Sequence, residues 1–388
     1  MFLIPLLSAA GFAAAILFLR CGLRRINTQP LSADNVAPLT FSVIIAARNE
    51  ERNIAGCLQS VFAQDISISR YEVTVIDDRS EDSTPDILQE HLHHHQNLRI
   101  ITVAETPPGA SPKKHAVTQG INAASNEIIV FTDADCRVPP KWLSTINKYF
   151  DGDTALVQGI TSYGYTPGMN KLFYGLQSVD FISHGIISAA AIGANLPINS
   201  NANNMAFRKT VFEEIGGYGG DIRVVSADDD SLLQKIWRAN QSEQSAGHRR
   251  KIRFMADAGG SVETAPTETL AGVFEQRKRW GSNTVHYRAR QIILLATVFI
   301  FYVTIVLTAA ASFINTSYIP VCASLLLIKL AGEFALMIPG TRIFGKKDLR
   351  GYIPLASLIQ LPVVLAAVIL GTFGRFEWKG RKMARTMR

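Results

Sequence analysis

Ile128-Ile129-Val130-Phe131-Thr132-Asp133-Ala134-Asp135 decides the reading of this sequence. Its first four residues are apolar and mostly β-branched, the composition of a short strand buried on both faces. Two carboxylates follow at i and i+2, and in extended chain such side chains point the same way. Oxygen ligands at Asp133 and Asp135 suit a hard cation, Mn²⁺ or Mg²⁺. A lone Asp-x-Asp is often only a surface turn, so its position at the exit of a buried strand carries the weight.

Working outward, the same alternation of β-branched runs and helix-length stretches extends from Thr40 to about Ala265. Phe41–Ala46, Val73–Ile76, Leu98–Val103 and Glu127–Thr132 read as strands, with Glu50–Ala63 and Lys113–Ala123 as helices. Strands buried on both faces and separated by helices predict an α/β, Rossmann-like domain with a mostly parallel sheet. In such sheets ligands bind at the carboxyl ends of the strands. Ala47, Arg48 and Glu50 follow the first strand, Asp77 and Asp78 the second, and Asp133 and Asp135 the fourth. These residues are expected to hold a nucleotide, with Asp77 or Asp78 accepting from a base or ribose. The alternative is that the Asp78-Arg79-Ser80 stretch caps the next helix, a duty Ser80 could share. Lys113 and Lys114 open a helix after the third strand, where a lysine reaches either phosphate or solvent.

Composition sets the wider frame. Of 388 residues, 47% are hydrophobic and 18% charged, and the apolar residues concentrate at the two ends. The net charge of +7 gathers beside the apolar segments, at Arg20, Arg24 and Arg25 and from Arg375 to Arg388. That placement suits a membrane surface or an anionic substrate, and no aromatic-interleaved basic patch points to nucleic acid. Cys21, Cys57, Cys136 and Cys322 are widely spaced, indicating neither a disulfide framework nor a zinc site and fitting a reducing compartment.

Phe2–Leu19 is uncharged and just long enough to span a bilayer. Basic residues follow it rather than precede it, which favours an uncleaved anchor over a signal peptide and leaves the chain after Arg20 in the cytoplasm. Ile292–Phe313, Tyr318–Met337 and Tyr352–Phe373 are further candidate spans, the last interrupted by Pro354 and Pro362. Four spans would put the basic tail outside, against the positive-inside rule, so one segment is expected to be re-entrant or interfacial. Lys171–Ile187 reads as an interfacial helix or as core. The four histidines between His91 and His95 read as a solvated loop.

Two later stretches complete the candidate site. Asp228, Asp229 and Asp230 open a helix, where acids are stabilised by the helix dipole and one could serve as a general base. Asp229 is the first choice for that base and Asp228 the second. Gln276, Arg279 and Trp280 share a helical face at i, i+3, i+4. Arg279 can clamp a diphosphate, Trp280 can offer a flat face to a sugar and Gln276 can bond its hydroxyls. A juxtamembrane helix with Arg and Trp at the headgroups is the competing reading.

In order along the chain, Ala47-Arg48-Asn49-Glu50-Glu51, Val75-Ile76-Asp77-Asp78, Thr132-Asp133-Ala134-Asp135, the Asp228-Asp229 pair and Gln276-x-x-Arg279-Trp280 resemble the signatures of glycosyltransferase family 2. These are inverting GT-A enzymes that include cellulose, chitin and hyaluronan synthases and ceramide glucosyltransferases. Asn203–Arg208 and Ile215–Tyr218 are similar to the family's acceptor-side strand and turn. The resemblance covers about Phe41 to Trp280. It implies nucleotide contacts at Glu50, Asp78 and Asp133, metal at Asp135, the base at Asp229, and diphosphate or acceptor contacts at Gln276, Arg279 and Trp280. Asp228 departs from the family's usual Glu, and Ser111-Pro112 stands where Gly is usual, which unsettles the lysine roles.

The resulting expectation is an α/β GT-A domain at 39–265 behind an anchor (1–25) and linker (26–38). An interfacial helix at 266–290, membrane segments at 291–374 and a basic tail at 375–388 would follow it. The activity expected is metal-dependent transfer of a hexose or N-acetylhexosamine from a nucleotide sugar, UDP-linked by preference, to a lipid or lipid-linked saccharide acceptor. The catalytic domain would face the cytoplasm at a bacterial inner membrane. A processive polysaccharide synthase and a polyprenyl-phosphate sugar synthase are the alternatives.

Overall fold

The structure, a computed structural model, describes residues 2–26, 38–219, 228–241, 250–281, 287–373, 376–378 and 381–383. At 278, 279, 281 and from 366 onward it describes the backbone alone.

Helix α1 (Leu3–Arg25) leads into an α/β domain. Its elements run β1 (Phe41–Ala47), α2 (Ile54–Phe62), β2 (Tyr71–Asp77), α3 (Thr84–His94), β3 (Leu98–Thr102), α4 (Pro112–Ala123) and β4 (Ile128–Phe131). After these come β5 (Cys136–Arg137), α5 (Trp142–Tyr149), β6 (Thr154–Gly159), β7 (Thr161–Tyr163) and the long α6 (Lys171–Gly193). Next are β8 (Met205–Arg208), α7 (Lys209–Glu214), α8 (Asp228–Ala239), β9 (Lys251–Met255), β10 (Val262–Thr264) and α9 (Leu270–Gly281). Three long helices follow, α10 (Ala289–Ile314), α11 (Ile319–Ile343) and α12 (Ile353–Phe373), and the described tail forms a small hairpin of β11 (Phe376–Trp378) and β12 (Arg381–Met383).

The main sheet has seven strands in the order β3-β2-β1-β4-β8-β6-β9. The pairs β1–β2, β2–β3, β1–β4 and β6–β9 are parallel, while β8 runs antiparallel to both β4 and β6. The expected mostly parallel sheet is present, with one reversed strand at its centre. Its expected strands lie within a residue or two of their predicted ends. The helix expected from Glu50 starts instead at Ile54, because Glu50 and its neighbours form a loop tied to the end of β2.

Two apolar clusters pack on the two faces of the sheet, one around Val43, Val75, Trp142 and Tyr149, the other around Ile44, Ile76, Phe207 and Leu233. This is the sandwiched burial that the β-branched runs require. A third cluster is of a different kind. It joins Phe12, Ile16, Leu19 and Leu23 of α1 to Ile182, Ile186 and Ala190 of α6, to Phe301 and Ile305 of α10, and to Phe254 of β9. Helix α6 is thus packed between the sheet domain and the long helices, which buries about half of the segment Lys171–Ile187 and leaves its start at Lys171 and Leu172 exposed. Small residues allow the approach of α1 and α6: a Cβ on Gly22 would lie 1.9 Å from the Ala190 carbonyl oxygen, and one on Gly193 would lie 2.2 Å from that of Gly22.

Among the described residues, Leu3–Arg25, Ala289–Ile314 and Thr316–Ile343 are long and apolar enough to cross a membrane. Between α10, α11 and α12 sits a polar knot. Lys329 Nζ donates to Glu333 at 2.5 Å and to the Ser357 carbonyl at 2.6 Å, while Tyr302 Oη donates to Glu333 at 2.7 Å and Ser357 Oγ bonds the same carboxylate. Polar groups held in an apolar bundle need this degree of mutual satisfaction.

Candidate active site

The carboxyl ends of β1, β2 and β4 meet at one edge of the sheet. There the loop after β1 is stapled to the loop after β2. Arg48 Nη1 donates to the carbonyls of Asp78 (2.7 Å) and Arg79 (2.8 Å), and Nη2 reaches Glu81 at 3.2 Å. Arg48 is therefore committed to shaping the loop. Asn49 and Arg79 both take left-handed backbone, at φ 52° and 58°, a conformation costly outside glycine that persists where surrounding bonds enforce it. Asn49 Oδ1 accepts the Glu81 N–H at 2.9 Å, which supplies that enforcement.

Inside this frame Asp77 and Asp78 are buried. Asp77 Oδ1 accepts both the N–H (3.1 Å) and hydroxyl (2.5 Å) of Ser80, and Asp78 Oδ1 is held by Arg79 Nη2 at 2.8 Å. Ser80 is thus used to fix Asp77. Helix α3 starts later, with Asp82 Oδ1 accepting the Thr84 N–H at 3.0 Å. Glu50 accepts from Asn53 Nδ2 at 2.9 Å, and the buried Ala47 supplies its carbonyl to the Asp78 N–H at 2.9 Å.

Asp133 and Asp135 are half-buried at the end of β4. Beneath them are two buried thiols: Cys57 Sγ approaches the Asp133 carbonyl at 3.5 Å and Cys136 Sγ approaches Asp135 Oδ1 at 3.6 Å. Burial first, then the nearby carboxylates, pushes the Cys57 thiol up to about 12, against the pull of Arg137, and raises Cys136 for the same leading reason. Both stay neutral, so the donors offered here are oxygens only. Among the described residues no group of three His, Cys, Asp or Glu side chains could by itself hold a metal ion. Two carboxylates that need a substrate's oxygens to complete the shell fit Mn²⁺ or Mg²⁺, which are commonly held in that way.

Helix α8 brings its first turn to the same mouth. Asp229 Oδ2 accepts the Ala202 N–H and Oδ1 the Asp230 N–H, both at 2.8 Å. Burial and the adjacent Asp228 raise its pKa to about 6, partly offset by Lys113 and these two N–H groups. Asp230 faces away and takes the Ser200 N–H at 2.6 Å. Asp228 is buried, and its Oδ2 has no hydrogen-bond partner among the described residues but lies 3.4 Å from Lys113 Nζ.

Lys113 is the residue that joins the two halves. Its ammonium donates to Asp133 Oδ1 at 3.1 Å while pairing with Asp228. Burial opposes its charge, but Asp133, Asp228 and Asp229 together more than offset this and raise its pKa. Lys114, the other lysine expected from sequence to reach phosphate or solvent, is buried with Nζ 5.6 Å from the centre of the Tyr218 ring. The physical reason is helical phase: adjacent residues at a helix start point about 100° apart, and only one can face the strand ends. Tyr218 itself is buried beneath Asp228 and Asp229, and its hydroxyl has no hydrogen-bond partner among the described residues.

Helix α9 carries the last group. Tyr163 Oη donates to Gln276 Oε1 at 3.1 Å, and Arg277 Nη1 donates to the same oxygen at 2.9 Å. Trp280 is half-buried, with Phe181 at 5.8 Å and His184 at 5.2 Å between ring centres. Burial lowers the His184 pKa despite Asp180. The Arg279 side chain lies outside the described residues. Arg277, Asp180 and Tyr163 were not singled out from sequence. A buried arginine one place from the expected face leaves no periodic signal, and its partner is 97 residues away.

Residues 42–216 match the family model described as Glycosyl transferase family 2. The chain is 28% identical over 193 residues to glycosyltransferase AglE of Haloferax volcanii, covering 47% of this chain and 58% of that protein. It is 34% identical over 109 residues to the beta-monoglucosyldiacylglycerol synthase of Trichormus variabilis, covering 28% of this chain and 23% of the synthase. The match thus spans little more than half of one relative and about a quarter of the other. Among solved structures, the Pyrobaculum calidifontis mannosyltransferase PcManGT, in complex with GDP-Man and Mn²⁺, superposes with a TM-score of 0.58 at 19% identity over 95% of this chain and 98% of that one. Residues 42–216 thus resemble glycosyl transferase family 2, on a GT-A fold with a mostly parallel sheet that is accompanied, among the described residues, by helices long and apolar enough to cross a membrane.

Proposed function

We propose that this protein is an inverting glycosyltransferase that moves a hexose or N-acetylhexosamine from a nucleotide sugar to a hydroxyl of a membrane-lying acceptor. The observation that carries this reading is the convergence of Asp133 with Asp228 and Asp229 on the single ammonium of Lys113. Carboxylates from a strand end and a distant helix sit there around one positive charge, the arrangement a diphosphate and its cation would need.

Asp77, Asp78 and Glu50 line the end where the nucleoside would lie. Asp133 and Asp135 would hold Mn²⁺ or Mg²⁺, which when bound supplies charge neutralisation to the departing diphosphate. Lys113, released from Asp133 as the donor enters, would turn its ammonium to a phosphate oxygen. Asp229, held by two N–H groups and with a pKa near 6, is deprotonated at neutral pH and placed to accept the acceptor's proton. Attack from that side displaces the diphosphate in one step with inversion, and no enzyme nucleophile is required. PcManGT and its GDP-Man and Mn²⁺ support a divalent cation and widen the donor choice beyond UDP-sugars. The glycolipid-forming relative supports a lipid acceptor, as does the packing of α6 and α9 against the long helices. We place α1, α10 and α11 in a bacterial inner membrane with the domain in the cytoplasm.

The test is a panel of UDP- and GDP-sugars incubated with purified protein, Mn²⁺ and a bacterial lipid extract, with nucleotide release measured and the product identified by mass. One added sugar on a lipid supports the proposal. A polymer ladder would replace it with a processive synthase, and no release from any donor would sink it.

A further inference from the structure

The side chains that hold Gln276 and Trp280 come largely from outside their own motif. Arg277 is buried at 5% exposure, and each of its three guanidinium nitrogens is engaged. Nε donates to Asp180 Oδ2 at 2.6 Å and Nη2 bonds the same oxygen. Nη1 donates to Gln276 Oε1, and the guanidinium carbon lies 4.1 Å from the centre of the Trp280 ring. Asp180 sits on α6 beside Phe181 and one turn before His184, the two residues against which Trp280 packs.

The consequence for Gln276 is directional. Its Oε1 takes two hydrogen bonds, from Tyr163 and Arg277, which fixes the amide so that Nε2 is turned away from both. The site therefore presents a hydrogen-bond donor next to an indole. An ion pair that served only to dock α9 on α6 would not need to engage both of those residues at once.

We infer that Asp180 is a positioning residue for the acceptor side of the site: through Arg277 it sets the amide of Gln276 and the ring of Trp280 for a sugar-bearing acceptor whose oxygen receives the Gln276 N–H. This inference rests on the transferase reading above. It assigns Gln276 the role of donor, and it places the control of that role on a helix outside the Gln-x-x-Arg-Trp box.

The experiment uses full-length protein in detergent, comparing wild type with D180N, D180E, R277K and Q276E. Two quantities are measured: the Kd of UDP and GDP with Mn²⁺, and nucleotide release from UDP-glucose and GDP-mannose as bacterial lipid extract is titrated in. D180N and R277K are expected to lower extract-dependent release, or raise its half-saturating concentration, by about tenfold or more, the scale on which misplaced binding groups act. For D180N and R277K nucleotide Kd should stay within about twofold, since neither side chain bonds the acids at the strand ends. D180E should recover most of the loss, and Q276E, which replaces the donor amide with an acceptor, should not. Equal loss of nucleotide binding and release would mark Asp180 as a general structural support and overturn the inference, as would a D180N protein with wild-type extract dependence. If D180N fails to fold, R277K and D180E decide the matter by the same two measurements. A wild type that releases nucleotide from no donor of the UDP- and GDP-sugar panel, N-acetylhexosamine donors included, would bring down the transferase reading itself, whereas an active wild type with indifferent variants brings down only the role of Asp180.

Discussion

At Asp229 two backbone N–H groups favour the charged form, while burial and Asp228 favour the neutral one, and the second pair prevails to give a pKa of about 6. A base works only when deprotonated, so kcat/KM for nucleotide release should climb with pH through about 6 and level off above it. Asp229→Asn should lower turnover by about 100-fold or more with nucleotide Kd little changed. Lys113 lowers the Asp229 pKa, so Lys113→Met should move the rising limb of that profile to higher pH and also weaken nucleotide binding. A limb that stays in place would show that the two groups do not interact. Much at this scale was readable beforehand. Acids at strand ends and at a helix start announce their placement by position, and the structure puts Asp77, Asp133 and Asp229 at those ends. What could not be read was the choice between neighbours: Lys113 over Lys114, and the commitment of Arg48 to carbonyls of the next loop. Those outcomes depend on helix phase and on backbone turns that only the folded chain defines.

Among the elements, strands with β-branched runs were legible because burial on both faces leaves a continuous apolar signature. The reversed strand β8 was recognisable only through family likeness, since Met205–Arg208 is too short to carry a period of its own. Helix α6 was ambiguous for a related reason: it is covered on one side by sheet and on another by long helices, so no polar stripe marks its orientation. Its crossing with α1 makes a sharp prediction. A side chain at Gly22 meets backbone rather than a movable group, so Gly22→Val should cost about 1–3 kcal/mol, visible as a lower melting temperature in detergent. The knot between α10, α11 and α12 makes another. Lys329→Met leaves Glu333 enclosed without its ammonium partner and should destabilise by about 3–5 kcal/mol, whereas pairing it with Glu333→Leu should recover part of that loss. Thermal unfolding of both variants checks the sign and the recovery.

Over the whole molecule, apolar contact is continuous from α1 through α6 into the sheet domain, and Lys346 beyond α11 reaches Glu263 of β10 at 3.3 Å. The protein is expected to stay with the membrane pellet after alkaline carbonate washing, and release into the supernatant would remove the spans from the proposal. The Gly22–Gly193 contact then has a further meaning. An enzyme hung on a slack tether can sweep a volume and search for its target. On the proposed placement of α1 in the bilayer, its wedge against the helix that carries Asp180 would hold the candidate site at a set height and tilt above the lipid. Reach would then be fixed by architecture, and which acceptors are served would become a matter of how far their hydroxyls stand out from the bilayer.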